Sequence, residues 1–316
     1  MKKYLVLDYG GSSVKYAIMD KDANVYESGK HPISRENLEK YLDDARDISR
    51  MFAGQYDGVA VSLPGRIDTA TGFAHTGGAF SSFVREIPLG DYFKEIYGKP
   101  VVMANDAKCA AQAELSKGAL IGVNSGVVMT LGTGVGGGII VNGKIWMGST
   151  GGAGELSLLV MNSSSVIAQS YDPEPDRRKR FRPDAMYTST GSTTGLLRLY
   201  AKNRNVPYDP DEADGMSFFR DYDNGDEIAR KTLTDYARVV AAGICSIQSV
   251  LDAEKFAIGG GISARPEVTD EIRKAVNVII MERAPFCRPE IVTCHFGNEA
   301  NQIGALMFYL ERYPEQ

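Results

Sequence analysis

Short runs of β-branched and apolar residues alternate with glycine turns in the first part of the chain. An apolar run at 3–7 leads through Asp8 into the turn Gly10-Gly11-Ser12-Ser13, and a second run follows at 14–19. A polar turn at 21–24 separates the second run from a third at about 25–28. Runs of this length, bounded by turn residues, are typical of strands joined in sequence order. The pattern predicts that the chain opens with an antiparallel meander.

The same arrangement returns after residue 126, with more glycine. An apolar run at 127–131 enters a loop in which five of the seven residues from Gly132 to Gly138 are glycine, and a second run follows at 139–141. Asn142-Gly143 then precedes a further apolar stretch at 144–146. Asn-Gly between two apolar runs is a strong hairpin signal. The glycine loop is therefore predicted to lead into a strand and a hairpin, and not into a helix.

This context decides between three interpretations of the glycines. Gly132, Gly134 and Gly137 satisfy G-x-G-x-x-G, but the dinucleotide-binding motif requires a helix to begin there. Residues 138–144 nearly match a P-loop, yet Ile145 stands where a magnesium-binding Ser or Thr is needed. A simple tight turn needs only one or two glycines. The remaining interpretation is a turn around Thr133 whose bare backbone amides approach a phosphate.

Other segments carry apolar residues every three to four positions, as in helices that pack on a sheet. They are 36–53, 107–117, 193–203, 227–251, 266–281 and 298–312. Three short buried strands are predicted at 58–63, 101–104 and 255–258. They end at Pro64-Gly65, at Asn105-Asp106 and at Gly259-Gly260-Gly261. Ligands of α/β proteins collect at the carboxyl ends of strands, so these places are candidate ligand contacts.

The composition fits a globular protein. The 316 residues, 43% of them hydrophobic, suffice for two domains with sizeable cores, and the net charge of −5 offers no basic surface for nucleic acid or an anionic membrane. The one basic run, 177–182, lies in a Ser-, Pro- and charge-rich segment at 162–183 and is expected to be a solvated loop. We recognise neither a signal peptide nor an apolar run of the roughly 20 residues that span a membrane. We therefore expect a soluble, cytoplasmic protein.

The four cysteines contain no C-x-x-C pair, which favours reduced thiols. Cys287, Cys294 and His295 could be considered as metal ligands, but their spacing matches no familiar zinc pattern. We expect no zinc site.

Taken together, the motifs resemble those of sugar kinases of the ROK family, within the actin-like ATPase fold. The resemblance extends over nearly the whole chain and depends on the joint order of its motifs. They are Asp8-Tyr9-Gly10-Gly11-Ser12 with Lys15, Pro64-Gly65, Asn105-Asp106-Ala107, Leu131 to Gly138, Gly154-Glu155, Ile258 to Ser263, Gly297 to Ala300, and Ile303-Gly304-Ala305.

The resemblance implies an α/β, two-domain actin-like ATPase (ribonuclease H-like) fold with an active-site cleft between the domains. It implies an N-terminal domain of 1–116 plus 299–316 and a C-terminal domain of 117–298. It also implies a homodimer, with ATP, Mg²⁺ and a small sugar as ligands.

By the same resemblance, Asp106 is the catalytic base that takes the proton from the attacking hydroxyl. The alternative is that Asp106 merely caps the helix that follows. The residues expected to bind the sugar are Gly65, Gly78, Asn105 and Glu155. Those expected at the ATP phosphates are Asp8, Gly10, Gly11, Ser12, Lys15, Gly132, Thr133, Gly134, Gly260 and Gly261. Asp8 would also hold Mg²⁺, through phosphate or water.

Two departures from the family pattern bear on the substrate. Leu158 stands where the family's G-E-x-x-H motif has histidine, and the cysteine-rich zinc segment that normally follows is absent. A glutamate that often precedes a run such as Ser192-Thr193-Thr194 is also missing. The chain is similar here to a zinc-less branch with β-glucoside kinases, including the element Gly77-Gly78-Ala79. Arg182 or Asp184 could instead refill the gap and restore selectivity for a free hexose.

Two other classes compete with a kinase that phosphorylates the C6 hydroxyl of a hexose or β-glucoside. Sugar-responsive repressors of the family carry an N-terminal helix-turn-helix, for which the strand at 3–7 leaves no room. A catalytically silent sugar-binding regulator of the same family remains the alternative, although Asp106 and the glycine loops favour an enzyme.

Overall fold

The computed structural model describes residues 1–163, 185–284 and 287–314. The chain separates into two compact units. Unit 1 comprises Met1–Gly122, Lys144–Gly154 and Asn298–Gln316, and unit 2 comprises Val123–Gly143 and Glu155–Gly297. The domain boundaries and the cleft that the resemblance implies stay predictions.

The strands and helices are numbered in chain order. The strands are β1 Tyr4–Tyr9, β2 Ser13–Met19, β3 Val25–Pro32, β4 Gly58–Leu63, β5 Ile67–Asp68, β6 Phe73–Ala74, β7 Val101–Asn105, β8 Ser125–Leu131, β9 Val135–Val141, β10 Lys144–Ile145, β11 Lys255–Gly259 and β12 Glu290–Thr293. The helices are α1 Leu38–Met51, α2 Leu89–Tyr97, α3 Asp106–Lys117, α4 Tyr187–Thr190, α5 Thr193–Asn203, α6 Gly215–Asp223, α7 Glu227–Leu251, α8 Pro266–Arg283 and α9 Ala300–Arg312. No helix among the described residues is long and apolar enough to cross a membrane.

The sheet of unit 1 has the order β3-β2-β1-β4-β7. β1, β2 and β3 pair antiparallel, which confirms the predicted meander, whereas β4 and β7 run parallel to β1. Parallel neighbours place their carboxyl ends at one edge, where Asp8 lies opposite Ser62 and the next residue, Leu63, lies opposite Asn105.

Unit 2 repeats the pattern in the order β9-β8-β11-β12, with β8 antiparallel to β9 and parallel to β11. The predicted glycine loop joins β8 to β9, and the predicted turn lies between β9 and β10. Asn142 and Gly143 both have positive φ, as a two-residue hairpin turn requires.

Each unit has its own apolar core. In unit 1, strand residues such as Leu5 and Val59 pack with Tyr41 of α1 and Phe93 of α2. In unit 2, β8 and β11 pack under α7, whose buried face includes Leu233. These apolar faces explain why the helices dock on the sheets.

Helices α3 and α9 of unit 1 approach each other closely at Gly304. An ideal Cβ on Gly304 would lie 1.7 Å from the carbonyl oxygen of Cys109, which is far inside van der Waals contact. Glycine is therefore required at this crossing. Through this contact α9 supports the helix that begins at Asp106.

Candidate functional site

A group of polar side chains lies where β7 meets α3. Asn105 is buried and caps α3, because its Oδ1 accepts a hydrogen bond from the backbone N of Lys108 at 3.2 Å. Its Nδ2 donates to the carbonyl oxygen of Gly65 and to Oδ1 of Asp106, each at 2.9 Å. Asn105 thus joins two of the predicted site residues to each other.

Asp106 is the first residue of α3 and not its cap, so the alternative assignment of this residue as the cap was wrong. Its Oδ1 also accepts a hydrogen bond from the backbone N of Ala107 at 2.8 Å. Two donors on one oxygen fix the plane of the carboxylate. A carboxylate held in this way at the carboxyl end of a strand suits a general base.

The backbone around Gly65 is closely packed against the loop that contains Gly78. Gly65 has φ +102, and a Cβ there would lie 2.2 Å from the carbonyl oxygen of Thr76. Gly78 has φ +57, and a Cβ there would lie 2.6 Å from Cβ of Pro64. The structure therefore brings Gly65, Gly78 and Asn105, three of the four predicted sugar-binding residues, into one place.

Asp8 lies at the end of β1 and is 5% exposed. Its Oδ1 accepts hydrogen bonds from Oγ of Ser62 at 2.9 Å and from Nδ2 of Asn301 at 3.1 Å. Nζ of Lys15 lies 3.5 Å from Oδ2. Sequence reasoning missed Asn301, which belongs to α9, because nothing in the local pattern connects it with residue 8. The predicted phosphate residues Gly10, Gly11 and Ser12 form the exposed turn that follows β1.

Asp8 and Asp106 both influence the buried thiol of Cys109. Burial raises the pKa of this thiol well above its usual value, and the negative charges of Asp106 and Asp8 raise it further. Both carboxylates therefore lie close enough to act on the same thiol in unit 1. Cys109 itself stays protonated and acts as an apolar residue.

Asp8 is a buried oxygen donor for a divalent cation. Among the described residues, no three His, Cys, Asp or Glu side chains converge on one point. A hard cation that is carried by phosphate oxygens needs only one or two protein carboxylates. The buried carboxylate of Asp8, with neutral donors on Oδ1, fits such a site.

Unit 2 contains a pocket of about 1030 Å³. Its lining includes two predicted phosphate residues of the glycine loop, Gly132 and Thr133, and one of the loop after β11, Gly261. Gly260 has φ +92, and a Cβ there would lie 2.4 Å from the carbonyl oxygen of Leu131, so this glycine lets the two loops approach. Gly261 is open, with nothing within 4 Å of its ideal Cβ.

The start of α5 holds the glycine loop in place. The backbone N of Thr193 donates to the carbonyl oxygen of Gly132 at 2.8 Å, and the hydroxyl of Thr194 donates to the carbonyl oxygen of Thr133 at 3.0 Å. Next to Gly134, the backbone N of Val135 donates to Oγ1 of Thr188 at 3.4 Å. Sequence reasoning did not identify Thr193 or Thr194 as site residues. They directly follow Ser192 at the start of a predicted helix, and a helix N-terminus is a common anion-binding site, which could have identified them.

An ion-pair network forms another wall of the pocket. The guanidinium of Arg265 binds both carboxylate oxygens of Asp223, with Nη1 to Oδ2 at 2.9 Å, and its Nε lies 3.2 Å from Glu267. It also lies over the ring of Phe219, 4.8 Å from the centroid. These hydrogen bonds lower the pKa of both carboxyl groups and raise that of Arg265. The charge of Arg265 is therefore already compensated within the protein.

Glu155, the fourth predicted sugar-binding residue, lies in unit 2 and is half-buried, just before a short 3₁₀ turn, Leu156–Leu158. Leu158, at the position of the family's histidine, is 62% exposed. Arg182 and Asp184 lie outside the described residues.

Comparison with known proteins gives a consistent result. The family model for the ROK family matches residues 4–312. A β-glucoside kinase of Listeria monocytogenes is 28% identical over 319 residues, covering 98% of each chain. A glucokinase of Halalkalibacterium halodurans is 28% identical over 320 residues, covering 95% of this chain and 93% of the relative.

Among solved structures, a ROK family glucokinase from Streptomyces griseus, in complex with glucose and AMPPNP, superposes with a TM-score of 0.78. It is 23% identical, and the match covers 96% of this chain and 98% of that one. At this identity the likeness shows the fold, and the predicted α/β fold of the family is confirmed.

Proposed function

The chain belongs to the ROK family, and we propose that this sugar kinase transfers the γ-phosphoryl group of ATP to the C6 hydroxyl of a hexose or a β-glucoside. The observation that carries the proposal is the carboxylate of Asp106, fixed by two donors beside Gly65 at the carboxyl end of β7. Phosphoryl transfer depends on positioning and charge stabilisation, with one base to receive the proton of the acceptor.

In this mechanism the acceptor hydroxyl gives its proton to Asp106 as its oxygen attacks the γ-phosphorus, the bond from that phosphorus to the β–γ bridging oxygen breaks, and ADP leaves. Asn105 orients Asp106 through the hydrogen bond between their side chains. Gly65, Gly78, Asn105 and Glu155 are assigned to the sugar. The two glycines carry no side chain, so their loops pack closely together, which would hold the backbone groups of these loops in place for the sugar.

The nucleotide is assigned to the glycine loops. Gly132, Thr133, Gly134, Gly260 and Gly261 would surround the phosphates from unit 2, where the pocket of about 1030 Å³ has room for a nucleotide. Unit 1 would contribute the turn Gly10, Gly11 and Ser12 together with Lys15, whose side chain is 37% exposed.

Asp8 is assigned to Mg²⁺, by way of phosphate oxygens or water. The cation would neutralise charge on the phosphates. Ser62 and Asn301 hold one oxygen of Asp8, which keeps its carboxylate in a single orientation. Zinc is not assigned a role, and the homodimer stays a prediction.

The proposed acceptor extends to sugars with a substituted anomeric oxygen. A site without a polar partner for a hydroxyl cannot select strongly for that hydroxyl. Leu158 offers an exposed apolar surface where the family has histidine. The relative named as a β-glucoside kinase supports this choice.

The decisive experiment compares turnover of the wild-type protein with that of Asp106→Asn. The amide oxygen of the variant can accept the same two hydrogen bonds, so the fold and sugar binding should be unchanged. Loss of the base should lower kcat about 10²–10⁴-fold. ADP release measures kcat, and calorimetry measures sugar affinity.

Asp226→Asn is the matched control, because Asp226 is a carboxylate of unit 2 that caps α7 and accepts from the backbone N of Ala229 at 2.8 Å. It should retain wild-type kcat. Turnover of Asp106→Asn within a few-fold of wild type would contradict the assignment of Asp106 as the base. A wild-type protein that binds sugars but releases no ADP would instead be the silent regulator.

The acceptor is tested by comparing kcat/KM for glucose and for cellobiose. A tolerant site, meaning one that accepts a substituted anomeric oxygen, should use both sugars with similar kcat/KM. A preference for glucose of about a hundredfold, equivalent to about 2.7 kcal/mol, would exclude the tolerant site.

A further inference from the structure

One face of α5 continues from the glycine loop along the pocket of unit 2. Thr194, Leu197 and Arg198 all line this pocket, and their spacing of three and four residues places them on one side of the helix. Helical side chains lean toward the N-terminus of their helix. The side chain of Arg198 is therefore expected to cover the turn that contains Thr194. The hydroxyl of Thr194 contacts the carbonyl oxygen of Thr133 in the glycine loop.

The guanidinium of Arg198 is positioned by an aromatic ring. It lies 5.2 Å from the ring centroid of Tyr208, which also lines the pocket. The attraction between a cation and the face of an aromatic ring uses none of the guanidinium's N–H donors. The ring therefore orients the group without using its hydrogen-bond donors.

Arg198 differs from Arg265, which lines the same pocket, in its ion pairing. Within the described part of the chain, no carboxylate forms an ion pair with Arg198. Arg265, in the same pocket, is held by Asp223 and Glu267. Arg198 thus brings a positive charge that has no ion-pair partner among the described residues to a cavity whose lining also includes Gly132, Thr133 and Gly261.

We propose that Arg198 binds a phosphate of the nucleotide and that Tyr208 positions it for this contact. The inference rests on the proposed function, since it takes the pocket as the nucleotide site. A guanidinium with free in-plane donors matches the geometry of phosphate oxygens. Arg198 adds a phosphate contact to those assigned to the glycine loops.

The test measures the dissociation constants of ATP, ADP and adenosine by calorimetry or ligand-observed NMR, without sugar. Arg198→Ala should weaken ATP and ADP binding about tenfold or more, the loss expected for a charged hydrogen bond. Adenosine, which has no phosphate, should bind as it does to wild type. The ratio between the ATP dissociation constants of Arg198→Ala and the wild-type protein should shrink when the salt concentration rises from about 0.05 M to about 0.5 M.

Arg204→Ala is the matched control. Arg204 follows the same helix and also lies over a tyrosine ring, 5.5 Å from the centroid of Tyr200, but it pairs with Asp221 at 3.7 Å and does not line the pocket. Its removal should leave all three affinities unchanged. Tyr208→Phe should bind ATP within about twofold of wild type, whereas Tyr208→Ala should lose part of the affinity, because only the ring is needed.

Two results would overturn the inference. One is an ATP affinity of Arg198→Ala equal to that of the wild-type protein. The other is an equal loss of affinity for adenosine and for ATP, which would place Arg198 at the base or ribose. A wild-type protein that binds no adenine nucleotide would refute the proposed function itself, so the two failures are distinguishable.

Discussion

Replacing Gly304 with alanine tests the close crossing of α3 and α9. The new Cβ would lie 1.7 Å from the carbonyl oxygen of Cys109, whereas real Cβ atoms essentially never approach closer than 3.0 Å. The two helices must therefore separate by about 1.3 Å, the difference between these distances. Because backbone atoms stand on both sides, rotation of a side chain cannot relieve the clash.

Overpacking of a well-packed core costs about 1–3 kcal/mol, occasionally more. The better helix propensity of alanine returns up to about 1 kcal/mol. Because the clash is between backbone atoms, we take the upper end of this range, and about 3 less about 1 gives a net loss near 2 kcal/mol, seen as a lower urea midpoint. Because α3 begins at Asp106, kcat should fall as well.

Gly215→Ala is the stability control. Gly215 begins α6, and an ideal Cβ there meets nothing closer than Cγ2 of Thr193 at 3.9 Å. This variant should match the wild-type midpoint or exceed it slightly. If Gly304→Ala is as stable as this control, α3 and α9 can separate at little cost, and the predicted loss of stability is wrong.

Three further predictions follow. Arg265 lowers the pKa of Asp223 and of Glu267 from their usual values of 3.8 and 4.5. The stability that these ion pairs add is therefore present at neutral pH and is lost as the pH falls below about 4. The urea midpoint of Arg265→Gln should lie below that of the wild-type protein at about pH 7 and converge on it toward about pH 3. Gly260→Ala, which places a Cβ against a carbonyl oxygen of β8 at φ +92, should raise the KM for ATP in steady-state assays more than Gly261→Ala, with the KM for sugar unchanged. Elemental analysis of purified protein should find no stoichiometric zinc, and one zinc per chain would contradict the expectation drawn from cysteine spacing.

The sequence was sufficient where the signal was local. Alternating apolar runs and turn residues predicted the meander of unit 1, and Asn142-Gly143 predicted the turn after β9. The short helices α2 and α6 were missed, because nine residues hold too few turns to establish a period. Neighbouring Asn105 and Asp106 are both good caps, and only the backbone conformation shows that Asn105 is the cap.

The remaining site features depend on residues far apart in the chain. Asn301 meets Asp8 across a separation of 293 residues, and Arg265 meets Asp223 across 42. Thr194 reaches the loop at Thr133 from the start of a later helix. Such contacts are set by how helices pack on the sheets, which no local pattern records.

The place of α9 in unit 1 has a consequence for biosynthesis. A ribosome makes the chain from its N-terminus, so β1 to α3 are made first, followed by the segments of unit 2 up to residue 297, and only then by α9. Domains generally fold as units, the N-terminal one first. Here unit 1 can be completed only after unit 2, because α9, which packs on α3, leaves the exit tunnel last. Until then the surface of unit 1 that α9 covers stays exposed, and we expect a chaperone to bind this surface during that interval.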